Sequence, residues 1–220
     1  MRDHEGIFRD RTDAGVDLAR HLMRHRGPGT LVLGIPRGGV VVAAEIARQL
    51  DAELDVVVAR KLGAPMSEEL AIGAVSANGG RYLNEDIIRE LDVSPDYLAT
   101  VTEREQAEAR RREARFRGGR PAPRVAGRTV IVVDDGLATG ATMYAAVRSV
   151  RQQSPARLVA AVPVGSREGC AVLRNEVDEL VCLLAPDFFA AVGSFYLDFR
   201  PTEDAAVERL LKESGTVAPA

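Results

Sequence analysis

The sequence predicts an α/β protein with a doubly wound parallel sheet and a small hood. Short runs of apolar, mostly β-branched residues, such as residues 130–133, are typical of strands buried on both faces of a parallel sheet. In the second half of the chain these runs alternate with helical patterns, which is the order that a doubly wound sheet requires. At 220 residues the chain can bury a sizeable core as a single domain, residues 1–220.

The elements of the sheet follow one another with clear start and stop signals. Apolar residues recur at helical spacing over residues 12–26, and the turn Gly27-Pro28-Gly29 ends that helix. The further strands are predicted at 31–35, 54–59, 130–133, 157–164 and 180–184, with helices at 40–50, from the loop after 133 to about 153, at 166–176 and at 203–213. We therefore expect the core of the sheet at about 30–61 and 125–185.

Residues 62–120 interrupt this alternation and are predicted to form a mobile loop and helical insertion. Its elements are strands at 70–75 and 81–84, which would pair antiparallel, and helices at 84–91 and 94–117. Ser94 is the expected N-cap of the long helix and Pro95 its first residue. The helix mixes acids and bases, from Glu103 to Arg115, and we interpret them as a solvated face joined by i, i+4 pairs.

Composition excludes several classes of protein. Apolar residues make up 46% of the chain and the net charge is −3, which is ordinary for a globular protein and gives no basic surface for nucleic acid. No apolar run is long enough to span a membrane and the start is not a signal peptide, so we expect a cytoplasmic protein. Cys170 and Cys182 are expected as buried reduced thiols. His21 and His25 share a helix face, but a solvated surface explains them better than a metal site.

The stretch that follows residues 130–133 carries the chemistry. Asp134 and Asp135 stand where the strand ends, and a loop with two glycines and two threonines leads into a helix. Ligands of open α/β sheets bind at the carboxyl ends of the strands, and a helix N-terminus suits a phosphate. Two acids would repel a bare phosphate, so they point to the hydroxyls of a sugar phosphate. The Gly-Lys-Ser/Thr ending of a nucleotide hydrolase loop and the Gly-x-Gly-x-x-Gly fingerprint are both absent.

This stretch resembles the 5-phosphoribosyl-1-pyrophosphate (PRPP) signature of the type I phosphoribosyltransferases. The resemblance implies that fold, and it implies that Asp134 and Asp135 hold the ribose 2′- and 3′-hydroxyls. The loop that would wrap the 5′-phosphate consists of Gly136, Leu137, Ala138, Thr139, Gly140, Ala141 and Thr142. In the hypoxanthine–guanine branch an acid stands at the position of Ala138, so the general acid or base and the identity of the acceptor stay open.

A second strand–loop–helix corner is expected to bind pyrophosphate. Its members are Pro36, Arg37, Gly38 and Gly39, together with Arg60 and Lys61 after the next strand. The glycines let the backbone approach a ligand, and cations at this edge balance the charge of a pyrophosphate. By resemblance Lys61 contacts the pyrophosphate, and with Arg37 it supports catalysis. The plainer alternatives are an ordinary turn and a solvated basic pair.

The hood is expected at about 185–200 together with the N-terminal segment. It resembles the hood of the hypoxanthine–guanine branch through Asp187, Phe188 and Phe189. Aromatic rings there could clamp a planar base, and Asp187 could reach Mg²⁺ through water. The alternative for these aromatic residues is a hydrophobic plug on the core. Mg²⁺ is expected to arrive with PRPP, so no dedicated protein ligands are predicted. In the insertion, Glu68 and Glu69 are acidic candidates or simply solvated loop acids.

These observations predict a phosphoribosyltransferase, a glycosyltransferase of nucleotide salvage. It would transfer the phosphoribosyl group of PRPP to a nitrogen of a nucleobase-like heterocycle or amine and release pyrophosphate. Relatives suggest a homodimer; no nucleic acid or membrane partner is expected. One alternative is a catalytically weak PRPP-sensing regulator that acts through a protein partner. A salvage hydrolase or phosphorylase is a third, and it would use the ribose phosphate site but not Arg37 and Lys61.

Overall fold

The computed structural model of the protein describes residues 7–214. Five strands form the central sheet: β1 (Thr30–Gly34), β2 (Glu53–Val56), β6 (Thr129–Val133), β7 (Arg157–Val164) and β8 (Glu179–Leu184). They are all parallel and lie in the order β2-β1-β6-β7-β8. The predicted fold class is therefore confirmed, because the apolar runs form strands that are buried on both faces.

Helices cover both faces of this sheet. On one face lie α1 (Arg11–Leu22), α2 (Gly38–Leu50) and α7 (Asp204–Ser214), and on the other lie α5 (Ala141–Arg151) and α6 (Arg167–Leu173). Successive strand residues alternate between the two layers, so that Val32 and Ile131 belong to the first core and Leu31 and Val130 to the second. Two apolar cores thus sandwich one sheet.

The strand order creates a switch point between β1 and β6. The chain leaves these two neighbouring strands toward opposite faces, and in doubly wound sheets ligands bind at this place. The N–H of Ile35 donates to the carbonyl of Val133 at 2.8 Å, so the loops after the two strands start side by side. These are the two loops that the sequence singled out.

The insertion consists of an antiparallel sheet and two helices. Its elements are β3 (Ala59–Ala64), β4 (Ser67–Ser76), β5 (Arg81–Leu83), α3 (Glu85–Glu90) and α4 (Pro95–Arg117). The predicted antiparallel pairing of 81–84 is confirmed, and so is Ser94 as the N-cap of α4. The sheet packs on α5, where the rings of Tyr82 and Tyr144 lie 5.0 Å apart in an edge-on arrangement.

The prediction of a strand at 54–59 was wrong at its C-terminal end. β2 stops at Val56, and Arg60 and Lys61 lie inside β3, paired with β4, instead of ending a strand of the central sheet. The reason is a side chain from far along the chain: the N–H of Val58 donates to Oε2 of Glu113 at 3.2 Å. That bond takes the place of a hydrogen bond to a neighbouring strand of the central sheet. The chain then continues into the antiparallel sheet of β3, β4 and β5.

The interpretation of α4 as a solvated face was also wrong in part. Glu105 and Glu113 are buried, because they lie on the same i, i+4 row as Val101 and Ala109. Arg117, one turn further, donates to Glu113 at 2.6 Å and to Asp55 of β2 at 2.8 Å. This buried ion cluster attaches the long helix to the central sheet.

The beginning of the described chain pairs with residues 195–198. The N–H of Phe8 donates to the carbonyl of Phe195, and the N–H of Leu197 donates to the carbonyl of Phe8, both at 2.8 Å. A 3-10 helix, Val192–Phe195, precedes this pairing. Residues 8–9 and 195–198 therefore form one layer at the carboxyl edge of the sheet.

The remaining histidine and cysteine predictions concern the surface and the edge of the sheet. His21 is exposed, and His25, in the 3-10 helix Met23–His25, contacts Glu179 at 3.1 Å. Cys170 is a buried free thiol in α6 and Cys182 a half-buried one in β8, as predicted for their elements. Within residues 7–214, no helix has the length and apolar character needed to cross a membrane.

Candidate functional site

The acid pair stands directly after β6, at the switch point. The main-chain N–H of Asp135 donates to Oδ1 of Asp134 at 2.9 Å, which orients the Asp134 carboxylate. Arg11, the first residue of α1, donates from Nε to Oδ2 of Asp135 at 2.7 Å. The hydroxyl of Tyr196 donates to the main-chain carbonyl of Asp135 at 2.6 Å. The N-terminal segment and the hood thus both contact the acid pair.

The two carboxyls differ in their electrostatics. Burial raises the pKa of Asp134 well above its ordinary value near 3.8, and the neighbouring charge of Asp135 raises it further, while Arg11 opposes the rise. Arg11 lies on Asp135 and not on Asp134. Of the two acids, only Asp135 therefore has a cation hydrogen-bonded to its carboxylate among the described residues.

The turn after β1 packs against these acids. A Cβ atom added at Gly39 would lie 2.8 Å from the Cα of Asp134, and one at Gly38 would lie 1.9 Å from Oδ2 of Asp135. Only glycine allows so close an approach. The peptide bond between Pro36 and Arg37 is cis. The predicted pyrophosphate turn and the predicted ribose acids therefore touch.

Arg37 extends from this turn toward the C-terminal helix. Its side chain is 48% exposed and its Nη1 lies 3.8 Å from Oδ1 of Asp204, the first residue of α7. The same carboxylate contacts Arg115 of α4 at 3.0 Å. Because its side chain is half exposed and its ion pair is long, the guanidinium of Arg37 is accessible to a ligand.

The loop from Gly136 to Gly140 is anchored at its centre. The N–H of Leu137 donates to the carbonyl of Val164 at 2.9 Å, which joins the loop to the end of β7. Gly140 has φ +82 and ends the loop, and α5 begins at the next residue, Ala141. The first N–H groups of α5 therefore face the loop, as a phosphate site requires.

The flanks of this loop are also held in place. The hydroxyl of Ser166, the N-cap of α6, donates to the carbonyl of Ala138. Gly136 packs on Val192, where a Cβ atom would lie 2.3 Å from Cγ1. Ala138 and Thr139 are exposed, and Thr142 is half-buried in the first turn of α5. The exposed residues of the loop face solvent, while these contacts hold the rest of the loop in place.

A cavity of about 350 Å³ joins the two corners. Its wall includes Pro36, Arg60, Lys61 and Thr142, so the structure brings together predicted residues of the pyrophosphate turn, of β3 and of the phosphate loop. Although Arg60 and Lys61 lie in β3 and not at the end of a central strand, they still reach the same edge of the sheet.

The long helix supplies cavity residues that the sequence analysis missed. Arg104, Glu105 and Arg112 of α4 line the cavity, as does Glu68 of β4. The buried carboxylate of Glu105 accepts from Nε of Arg60 at 2.6 Å and from Nε of Arg104 at 2.9 Å. Glu105 thus holds two guanidiniums at the cavity. Its place on the apolar row of α4 was the only signal for this role in the sequence.

Arg11 was missed because nothing local marks it. It follows Asp10, the N-cap of α1, and reads as an ordinary arginine in a first helical turn. Its partner Asp135 is 124 residues away. The packing of α1 on α2 and the pairing of Phe8 with residues 195 and 197 bring it to the acid pair.

The aromatic residues of the hood either pack against one another or are exposed to solvent. Phe195 and Tyr196 pack in the layer over the acid pair, and Phe189 stacks on Phe195 with ring centroids 5.6 Å apart. Phe188 is 83% exposed. Asp187 is also exposed and pairs with Arg167 of α6. In this arrangement one aromatic ring of the predicted base site is free to meet a ligand.

These features are shared by a known family. The family model of the phosphoribosyl transferase domain matches residues 10–200, which include every candidate residue described above. The chain belongs to this family, and the resemblance to the type I phosphoribosyltransferases is confirmed. The crystal structure of TT1426 from Thermus thermophilus is similar throughout: it is 46% identical, the match covers 94% of this chain and 98% of that chain, and the TM-score is 0.79.

The matches to two further proteins cover less of those proteins' own length. A Mycobacterium tuberculosis H37Rv protein named "putative phosphoribosyl transferase" is 43% identical over 205 residues, 93% of this chain and 46% of that protein. The chain thus spans about half the length of this curated relative. A structure of the Aquifex aeolicus protein AQ2163 is 12% identical and covers 83% of this chain and 76% of that chain with a TM-score of 0.50, which is a likeness of fold alone.

Proposed function

We propose that the protein is a phosphoribosyltransferase that moves the 5-phosphoribosyl group of PRPP to a nitrogen of a nucleobase-like acceptor and releases pyrophosphate. The observation that carries the proposal is the contact between Gly38 and Asp135 at the switch point. A sugar that carries phosphate at one end and pyrophosphate at the other needs both loops at once, and here they meet beside a cation-lined cavity.

Each part of the ligand has a proposed partner. Asp134 and Asp135 accept hydrogen bonds from the ribose hydroxyls. The loop from Gly136 to Thr142 and the N-terminus of α5 bind the 5′-phosphate. The pyrophosphate lies against the Pro36–Arg37–Gly38–Gly39 turn with the side chains of Arg37, Arg60 and Lys61.

The reaction needs stabilisation of the leaving group more than proton transfer. As the bond from the anomeric carbon to the pyrophosphate oxygen breaks, negative charge grows on the pyrophosphate, and Arg37 and Lys61 stabilise it. Mg²⁺ would enter as part of the substrate, bound to pyrophosphate oxygens. In the hood, Phe188 is the proposed contact for a planar acceptor and Asp187 for the bound metal. Salvage and a homodimer stay predictions.

Pyrophosphate release from PRPP and Mg²⁺, measured with a panel of purines, pyrimidines and simple amines, tests this function. Release that depends on one acceptor, and that disappears in the Asp134→Ala/Asp135→Ala variant, is the expected result. Failure of the wild-type protein to bind PRPP in calorimetry would refute the proposal.

A PRPP-sensing regulator is the second candidate, and the exposed Ala138 favours it. The loop carries no acid at that position to move a proton on a base. Tight PRPP binding without release from any acceptor is the outcome that this candidate predicts. In that case a protein partner would be sought by its dependence on PRPP.

A further inference from the structure

The side chain of Arg11 is built into the site by three separate contacts. Its Nε lies 2.7 Å from Oδ2 of Asp135, in a pair whose side chains are only 11% and 17% exposed. Its Nη1 donates to the carbonyl of Arg200 at 2.9 Å, and its guanidinium carbon lies 3.9 Å from the ring centroid of Phe199. A guanidinium held by a carboxylate, a carbonyl and a ring has little rotational freedom.

Arg11 and a main-chain N–H each hold one carboxylate oxygen of the acid pair. Arg11 donates to Oδ2 of Asp135, and the Asp135 N–H donates to Oδ1 of Asp134. Carboxylate oxygens have several lone pairs, so both acids keep the capacity to accept from the hydroxyls of a vicinal diol.

We propose that Arg11 is a positioning residue for the ribose of PRPP, which it serves by orienting the carboxylate of Asp135. The inference rests on the function proposed above. Arg11 acts through Asp135 and not on the pyrophosphate, so it belongs to the ribose half of the site. Through Phe199 and the carbonyl of Arg200, the hood contributes to ribose binding without touching the ligand.

The charge of Arg11 is needed because the acid pair is poorly solvated. Two neighbouring carboxylates repel each other, and the repulsion is stronger where water is excluded. The groups that face the pair are Arg11 from α1 and the Tyr196 hydroxyl from the hood, and only the first brings a positive charge. Without Arg11, the Asp135 carboxylate loses its hydrogen-bonded cation and its fixed orientation.

Binding of three ligands to Arg11→Gln, measured by calorimetry, separates positioning from general damage. PRPP and ribose 5-phosphate carry the ribose hydroxyls, whereas pyrophosphate does not. We expect losses on the order of 10-fold for the first two, the size typical of a charge-assisted hydrogen bond, and an unchanged affinity for pyrophosphate. Arg11→Lys, which keeps the charge, should recover part of the affinity.

Arg9→Gln is the matched control. Arg9 lies two residues earlier in the same segment, its side chain is 70% exposed, and it pairs with a different carboxylate, Asp13. Its ligand affinities should stay at the wild-type values. Phe199→Leu removes the ring under the guanidinium and should reproduce the selective loss of ribose ligands in weaker form.

The outcomes distinguish this inference from the function on which it rests. Wild-type binding of PRPP with no change in Arg11→Gln would overturn the positioning role and leave the proposed function intact. Equal losses for all three ligands would show a structural role and also overturn it. A wild-type protein that binds none of the ligands would overturn both.

Discussion

Gly38 packs directly against the carboxylate of Asp135, so closely that a Cβ atom at position 38 would lie 1.9 Å from Oδ2. The same Cβ atom would lie 2.6 Å from Nε of Arg11. The proposed pyrophosphate turn, the proposed ribose-binding Asp135 and Arg11 therefore meet at one point. A change at this point should affect binding more than folding, because side chains can move aside while the backbone stays in place.

Gly38→Ala should displace the Asp135 carboxylate and break its pair with Arg11. We expect PRPP affinity to fall on the order of 10- to 100-fold, since one charge-assisted hydrogen bond is lost and the diol acceptor moves. Calorimetric titration with PRPP measures the effect. Gly29→Ala is the control, because nothing lies within 4 Å of a Cβ atom there. Wild-type affinity in Gly38→Ala would mean that the two loops have more room between them than the contact implies.

Gly39→Ala should act on stability instead. At this position the Cβ atom meets main-chain atoms, the Cα of Asp134 and the carbonyl of Val133, each at 2.8 Å. Main-chain atoms cannot rotate away, so the ends of β1 and β6 must separate. We expect a loss of about 1–3 kcal/mol in the free energy of unfolding by urea, the usual cost of overpacking. An unfolding midpoint equal to that of Gly29→Ala would contradict this.

Asp134→Asn should raise stability near neutral pH. The pKa of Asp134 is raised in the folded protein, chiefly by burial and then by the charge of Asp135. A carboxyl with a raised folded pKa supports folding fully below its unfolded pKa, near 3.8. That support is lost as pH rises through the folded value. Asparagine has no charge to bury, so the variant should melt higher, by about 2–4 °C for each kcal/mol recovered.

The measurement for Asp134→Asn is the melting temperature across pH, as a difference between variant and wild type. The difference should grow as pH rises above the unfolded pKa and then level off. Asp86→Asn is the control, since the side chain of Asp86 is 92% exposed. A variant that melts lower than the wild type at neutral pH would show that Asp134 stabilises the fold through its ionised form.

The core of the fold could be predicted from sequence because its signals are local. The strand at 130–133 is a continuous apolar run, and the strand at 157–164 is apolar from Leu158 onward. The N-cap of α4 is a Ser-Pro pair that needs no tertiary partner. The acid pair was found for the same reason, since Asp134 and Asp135 lie within one short motif. Where one short segment of the chain carries the whole pattern, the feature can be predicted from the sequence.

The features that were missed depend on contacts across the chain. Val58 leaves the central sheet because Glu113, 55 residues away, takes its N–H. The sign and spacing of charges on α4 did not reveal which acids are buried, since an acid on an apolar row looks like any other until its arginine partner is known. Arg11 is the extreme case, with neither a motif nor a neighbour in sequence to mark it.

Arg117→Met should destabilise the fold strongly. The Arg117 side chain is 14% exposed and donates to Asp55 and to Glu113, whose side chains are 7% and 8% exposed. Burial raises the pKa of Asp55, and Arg117 opposes the rise. Removal of the cation leaves two buried carboxyls without their partner, which typically costs about 3–5 kcal/mol. Urea unfolding at neutral pH gives the loss.

Arg111→Met is the matched control for Arg117→Met. Arg111 lies on the same helix, its side chain is 68% exposed, and its pair with Glu108 lies on the surface. Water and salt screen such a pair, so its loss should leave the unfolding midpoint close to that of the wild type. Similar unfolding midpoints for the two variants would mean that the buried cluster contributes little to the attachment of α4.

Arg37→Ala should lower the affinity for ligands that carry pyrophosphate, whereas Arg11→Gln should lower it for ligands that carry ribose. Arg37 lies in the turn proposed to bind pyrophosphate, and its only ion pair among the described residues is the 3.8 Å contact with Asp204. We expect the affinities for pyrophosphate and PRPP to fall on the order of 10-fold, with little change for ribose 5-phosphate. Arg48→Ala, on α2 with its side chain 68% exposed, should leave all three affinities unchanged. Equal losses of affinity for the three ligands in Arg37→Ala would show that Arg37 does not contact the pyrophosphate.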